Sequence, residues 1–362
     1  MRIAFFGSSL VSAYWNGAAT YYRGLIRALA ERGHETVFFE PDAFERQAHR
    51  DIPDPEYATS VVYSAADERS VLAAVRQAHG VDLVVKASGV GVYDELLEEA
   101  VLELQDAETL VVYWDVDAPA TLDRLRADGS DPFLSLVPQY DIVFTYGGGP
   151  PVIKGYTTLG ARRCVPVYNA LDSSTHHSVE PDPRFEGLLG FLGNRMPDRE
   201  QRVNEFFFHA AARLPEQPFV LGGNGWDDVA AQHGNVEYVG HVYTRDHNAF
   251  NCTPRAVLNI NRESMARYGY SPPTRIFEAA GAGACIITDT WEGLDLFLEP
   301  GRECLAVESG EDLVDCLLRL DLVDSADMGR RAQERIQDEH TYKHRALQVE
   351  KVLMETPVPE AR

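Results

Sequence analysis

Residues 271–304 read SPPTRIFEAAGAGACIITDTWEGLDLFLEPGREC. The opening prolines, with the hydroxyls of Ser271 and Thr274, mark a helix start, because proline suits the first helical position and a hydroxyl suits the N-cap. Arg275 and Glu278 then fall one turn apart on one face. Five small residues, Ala279 to Gly283, let such a helix lie close on a sheet, and Cys285–Thr288 reads as a buried strand. Capping explains the prolines and hydroxyls but not the arginine and glutamate beside the small run. A helix start with free N–H groups and an arginine can hold a diphosphate. A carboxylate one turn further in can accept hydrogen bonds from a ribose.

The same helix-then-strand alternation extends outward to both ends of the chain, which implies βαβ units and parallel sheets. Strands are expected at Arg2–Phe6, Thr36–Glu40, Leu83–Ala87, Leu110–Trp114, Ile142–Thr145 and Cys164–Tyr168. Tyr22, Leu25, Ile26 and Leu29 fall at i, i+3, i+4 and i+7 of a first helix that stops at Gly33. The periodicity fails over LDSSTHHSVEPDPRFEG, residues 171–187. A second series follows: Leu188–Leu192, Phe219–Leu221, Val236–Val239, Ala256–Ile260, Cys285–Thr288 and Leu305–Val307, then a helical C-terminus over Ser325–Met354. At 362 residues the chain exceeds one comfortable core. The expected layout is an α/β chain with an N-terminal Rossmann-like domain over 1–172, a linker over 173–187, a second over 188–340, and a C-terminal helix and tail over 341–362. Ligands in such sheets sit at the carboxyl ends of the strands.

Bulk properties narrow the partners. With 33 basic and 56 acidic residues the net charge is −23, which opposes nucleic acid and anionic membranes. No run reaches the length of a membrane helix. Five cysteines without CxxC spacing fit reduced thiols, and a cytoplasmic location is expected.

Further polar groups stand at the expected strand ends. Gly193-Asn194-Arg195 followed by Pro197-Asp198-Arg199 reads either as a diphosphate clamp or as a solvated loop. Gly222-Gly223-Asn224 reads as a tight turn or a close approach to a ligand. Asn259, Asn261 and Arg262 end another strand, where polar groups need partners. In the first half, Asn16-Gly17-Ala18-Ala19-Thr20 precedes a helix, after the loop that leaves the first strand; it is not GxGxxG, so a dinucleotide cofactor is not favoured, and the small residues suit close approach of a substrate or of the opposing domain. Trp114-Asp115-Val116-Asp117 could be a helix cap, a general base beside an acceptor, or a metal-binding DxD. The phosphate-competent residues cluster in the other half, which argues against metal. His176-His177 and His340/His344 read as structural or exposed.

These segments resemble the CgeB-type (spore-protein-like) group of GT-B glycosyltransferases. The matching stretches are FLGNRMPDRE, LGGNGW, VGHVYTRDHNAFNC, LNINRESM, SPPTRIFEAAGAGACIITDTWEGLDLFLEPGRE and HTYKHR, over roughly residues 188–346, with WDVDAP and YDIVFTYGGG in the first half. The resemblance implies two Rossmann-like domains facing across a cleft, with a last helix crossing back to the first. It implies a nucleotide-sugar donor, UDP-sugar favoured, as substrate on the second domain, an acceptor on the first, and no cofactor or metal. Glu278 then corresponds to the ribose-binding glutamate, Arg195 and Arg275 lie where the diphosphate is met, and Gly240–Tyr243, including His241 and Val242, lies where the base is met. Asp115 or Asp117 would deprotonate the acceptor, with Asn16, Gly17 and Trp114 alongside. Tyr270 replaces a glutamate that many retaining relatives carry, so stereochemistry does not transfer. A GT-B-type epimerase and a non-catalytic protein of the same fold are the alternatives.

Overall fold

The computed structural model describes residues 1–14 and 16–356, with only the backbone at Ser264. The last part of the expected tail, 357–362, lies outside the described residues. The chain forms two compact units: Met1–Asn169 together with Tyr342 onward, and Ala170–Thr341.

The first unit holds β1 (Arg2–Phe6), β2 (Glu35–Asp42), β3 (Thr59–Ser64), β4 (Leu83–Ala87), β5 (Leu110–Asp115), β6 (Ile142–Thr145) and β7 (Cys164–Pro166). Among the described residues they form one parallel sheet in the order β3-β2-β1-β4-β5-β6-β7. The central strands are apolar and buried, as a parallel sheet covered on both faces requires. β3 was not expected. It is an edge strand with only Tyr63 buried, so its pattern lacks the continuous apolar run of its neighbours. Helix Ala19–Glu31 buries Tyr22, Leu25, Ile26 and Leu29, the periodic face. Helix Tyr342–Met354 packs on it: the Tyr342 ring lies where a side chain at Gly24 would be, and edge-on to Tyr21 at 5.9 Å.

The second unit repeats the winding with β8 (Leu189–Leu192), β9 (Phe219–Gly222), β10 (Val236–Gly240), β11 (Ala256–Asn259), β12 (Ile286–Asp289) and β13 (Leu305–Val307), in the order β10-β9-β8-β11-β12-β13. All pairings are parallel. The strand order reverses between β8 and β11, the position where such sheets open a crevice at their carboxyl ends. Phe191, Phe207, Trp226, Leu258 and Ile287 fill the core on one face.

Residues 173–187, expected as a linker, belong to this unit, and His176 within them is buried. The helical C-terminus expected over Ser325–Met354 is two helices, Leu322–Glu339 and Tyr342–Met354, parted at the expected 340/341 boundary. The break is tied to a residue distant in sequence. His340 leaves helical geometry at φ −130° and ψ 41°, and its carbonyl accepts the Leu171 N–H at 2.8 Å. Among the described residues no helix is long and apolar enough to cross a membrane.

Candidate functional site

Three loops at the carboxyl ends of β8, β9 and β10 lock into one another. Gly193 N donates to Gly222 O (2.9 Å), Gly223 N to Gly240 O (2.7 Å), Arg195 N to Asn224 O (2.9 Å) and Asn224 N to Asn194 Oδ1 (2.9 Å). Trp226 Nε1 closes the set on Gly193 O at 2.7 Å. Gly223 has φ +116°, and a Cβ there would collide with the Gly193 carbonyl. Only glycine combines that dihedral with that approach. Gly193, Asn194, Gly222, Gly223 and Asn224 are thus brought together.

Two arginines face this knot. A Cβ placed on Gly193 would lie 3.0 Å from Arg275 Nη2 and 3.1 Å from Arg199 Nη2. Both guanidinium groups lie over the Phe191 ring, at 5.3 Å and 5.9 Å. Arg275 stands at the start of helix Thr274–Gly281, whose N-cap is Pro273 in extended backbone. Among the described residues its guanidinium has neither a hydrogen bond nor an ion pair. Burial pushes its pKa down to about 9, Arg199 pushes the same way, and Glu278 opposes them. Arg199 donates to Asn194 O at 2.7 Å, while its Nε is buried without a partner. Burial lowers its pKa too, with Asp198 opposing. Two crowded guanidinium groups with few partners of their own are chemically suited to hold an anion.

Arg195 is engaged elsewhere. Its Nη2 donates to Glu200 at 2.5 Å and its Nη1 to Asp228 at 2.7 Å. Arg262 likewise donates to Asp198 at 2.5 Å. Arg199, part of the loop but not of the expected binding set, takes the inward position.

Glu278 lies one turn beyond Arg275, half-buried, with Oε1 3.8 Å from His176 Nε2. His247, from helix His247–Cys252, completes a cluster whose ligand atoms lie within 4.8 Å of one another. Ser271 Oγ and both amide atoms of Asn261 are buried without partners, and Thr274 is half-buried at the helix start. Tyr270 sits at φ +47°, its hydroxyl donating to Glu292 at 3.0 Å. After β10, Val242 is buried, whereas His241 and Tyr243 are exposed with their rings edge-on at 4.7 Å. They line a cavity of ≈ 470 Å³ together with Arg184, Phe185 and Arg245.

In the first unit Asp115 is wholly buried. Its Oδ1 accepts from Ser88 Oγ (2.8 Å) and Asp117 N (3.0 Å), and its Oδ2 accepts from Tyr156 OH. It ties β4, β5 and helix Gly149–Thr158 together. Its charge and, first, burial push the neighbouring Cys164 thiol up to about 12. Asp117 is exposed at the N-cap of helix Ala118–Ala127 and makes no side-chain capping bond. Trp114 is a core residue whose Nε1 donates to Tyr21 OH at 3.1 Å. Asn16 is buried as the hub of its loop, accepting from Ser8 Oγ (2.8 Å) and donating to Ser9 O (2.8 Å) and Ser12 O (2.9 Å). Gly17 is exposed.

Residues 199–351 match the model of a family described as glycosyl transferase-like. No curated protein matches the chain. Solved structures match it nearly end to end. The sucrose-phosphate synthase (tll1590) of Thermosynechococcus elongatus shares 13% identity at a TM-score of 0.71, covering 98% of each chain. Anabaena Alr3699/HepE in complex with UDP shares 16% at 0.69, over 98% of this chain and 100% of that one. An alpha-glucosyltransferase in complex with UDP and a 13-mer DNA containing a HMU base shares 13% at 0.70, over 98% and 100%. The chain has the GT-B fold. The family match within this GT-B chain opens at Arg199 and takes in Arg275 and Glu278.

Proposed function

We propose that the protein is a metal-independent glycosyltransferase, of the CgeB-type group, that moves a hexosyl or related sugar from a UDP-sugar to an acceptor hydroxyl. The observation that carries the reading is the pair Arg199 and Arg275, two guanidinium groups with unmet donors beside Gly193. The loss of a nucleoside diphosphate leaves negative charge on its phosphates. Arg275, Arg199 and the helix start at Thr274 would stabilise that charge as it develops, where a metal would otherwise stand. Glu278, one turn on, would accept the ribose hydroxyls. The exposed His241–Tyr243 pair offers ring faces to a base. The UDP complex of the HepE relative supports uridine over other bases. Asp115 and Asp117 were the two carboxylates expected at the acceptor. Asp115 has both oxygens occupied in the core, whereas Asp117 is exposed, so Asp117 is the one of the pair placed to meet a hydroxyl at the surface.

The test is calorimetric titration of the full chain with UDP, GDP and dTDP, each with and without EDTA. Binding of UDP, tightest of the three and unchanged by EDTA, is expected. No binding by any nucleotide sinks the proposal. Product analysis with UDP-sugar alone then separates a transferase from an epimerase, since a transferase yields no epimer.

A further inference from the structure

The neighbours of Glu278 are unusual for a residue meant only to meet hydroxyl groups. His176 comes from the polar stretch after Ala170 and is only 6% exposed. Its Nδ1 is held by Thr175 Oγ1 at 3.0 Å, and its Nε2 is buried with no hydrogen-bond partner, 3.8 Å from Glu278 Oε1. His247 arrives from a different segment and holds the Val242 carbonyl through Nε2 at 3.3 Å. Each imidazole is thus anchored through one nitrogen to a protein oxygen, which leaves one nitrogen of each for a ligand. Anchoring of this kind is what fixes the tautomer and aim of a metal-binding histidine.

We infer that His176, His247 and Glu278 form a site for a borderline-soft divalent cation, Zn²⁺ in particular, and that the cation and the donor nucleotide exclude each other. Two imidazole nitrogens and one carboxylate oxygen suit Zn²⁺, with a fourth position left to water. The ligand atoms lie within 4.8 Å of one another. A tetrahedral site with bonds of about 2.1 Å needs separations of about 3.4 Å, and the 3.8 Å between His176 Nε2 and Glu278 Oε1 is close to that. The exclusion rests on the proposed role of Glu278: a carboxylate with one oxygen bound to Zn²⁺ no longer presents both oxygens, or its full charge, to the ribose hydroxyls. The ion would act as an antagonist of the donor, not as a participant in transfer.

The experiment uses the full chain without an affinity tag, titrated with Co²⁺ and followed in the visible region. The expected result is the intense absorption of a tetrahedral N/O complex, abolished by added Zn²⁺, with no thiolate-to-cobalt band. No absorption, or a thiolate band marking capture by Cys252 or Cys316, overturns the site. His176→Ala and His247→Gln are each expected to bind Co²⁺ more than tenfold more weakly, since a change even outside the ligand shell costs about 10–100-fold. Unchanged affinity in both overturns it, provided their thermal unfolding shows they are folded. UDP, with its own chelation of Co²⁺ subtracted from a protein-free titration, is expected to raise the apparent Co²⁺ dissociation constant in proportion to its concentration. UDP and Co²⁺ binding independently overturns the exclusion. If UDP fails to bind while the cobalt spectrum is as expected, the donor reading and the exclusion fall together and the metal site stands.

Discussion

Arg275 and Arg195 differ in what their donors already hold, and that difference ranks them. Arg275 has no carboxylate to leave, whereas Arg195 is held by Glu200 and Asp228. Arg275→Ala is therefore expected to weaken UDP binding about 10–100-fold, the worth of a hydrogen bond to a charged group. Arg199→Ala should act in the same direction, and Arg195→Ala by less than about threefold, as an exposed pair contributes little. Calorimetry checks the order, and equal losses for Arg275 and Arg195 would undo it. Glu278→Ala should also weaken UDP, and unchanged affinity would remove its role. The sequence pointed to Arg275 and Glu278 because their spacing is local, one turn of one helix. It could not tell Arg195 from Arg199, because the choice depends in part on Asp228, which the helix Asp227–Ala230 after β9 brings beside the loop. A second titration concerns Glu98 in the first unit. Burial pushes its carboxyl up to about 7, against the pull of Lys86. A raised acid binds its proton more tightly when folded, so its contribution to stability falls as pH rises from about 4.5 to 7, by at most about 3 kcal/mol. Glu98→Gln should lose that slope, so its Tm relative to the parent should climb over the same range. A constant difference would refute this.

At the scale of elements, the strands legible in the sequence were those whose apolar run is continuous, β5 and β6 among them. β3 was missed because its residues alternate around a single buried tyrosine, and pairing to β2 holds it in place. The break at His340 falls at the expected boundary between residues 340 and 341, and a bond from Leu171, distant in sequence, holds it. Two substitutions probe the contacts between elements. Gly223→Ala meets both a positive φ and the Gly193 carbonyl, so it should lower Tm and weaken UDP together. Loss of neither would show that the three loops are not rigidly locked. Tyr342→Ala removes the ring seated over Gly24, and about 3–5 kcal/mol of stability should go with it, as for other buried aromatics. Denaturant titration checks this, and a change under about 1 kcal/mol would mean that the last helix is held by other contacts.

For the whole molecule, the charge of −23 makes self-repulsion a measurable cost. Raising NaCl to about one molar shortens the Debye length to about 3 Å, so Tm should rise with salt. A fall would show that surface ion pairs outweigh repulsion. The path of the chain carries one more consequence. Leu171 and Thr341 are bridged, and the Leu171 N–H is bonded to the His340 carbonyl, so the entrance and exit of the second unit are side by side. In gene terms that unit is a cassette, a continuous insert whose two ends meet. Expression of residues 170–341 alone should yield a folded, UDP-binding module, whereas cutting the chain after residue 169 would strip the first unit of the helix beginning at Tyr342. A rearranged chain in which 169 is spliced directly to 342 should keep the seven-stranded sheet and lose the nucleotide.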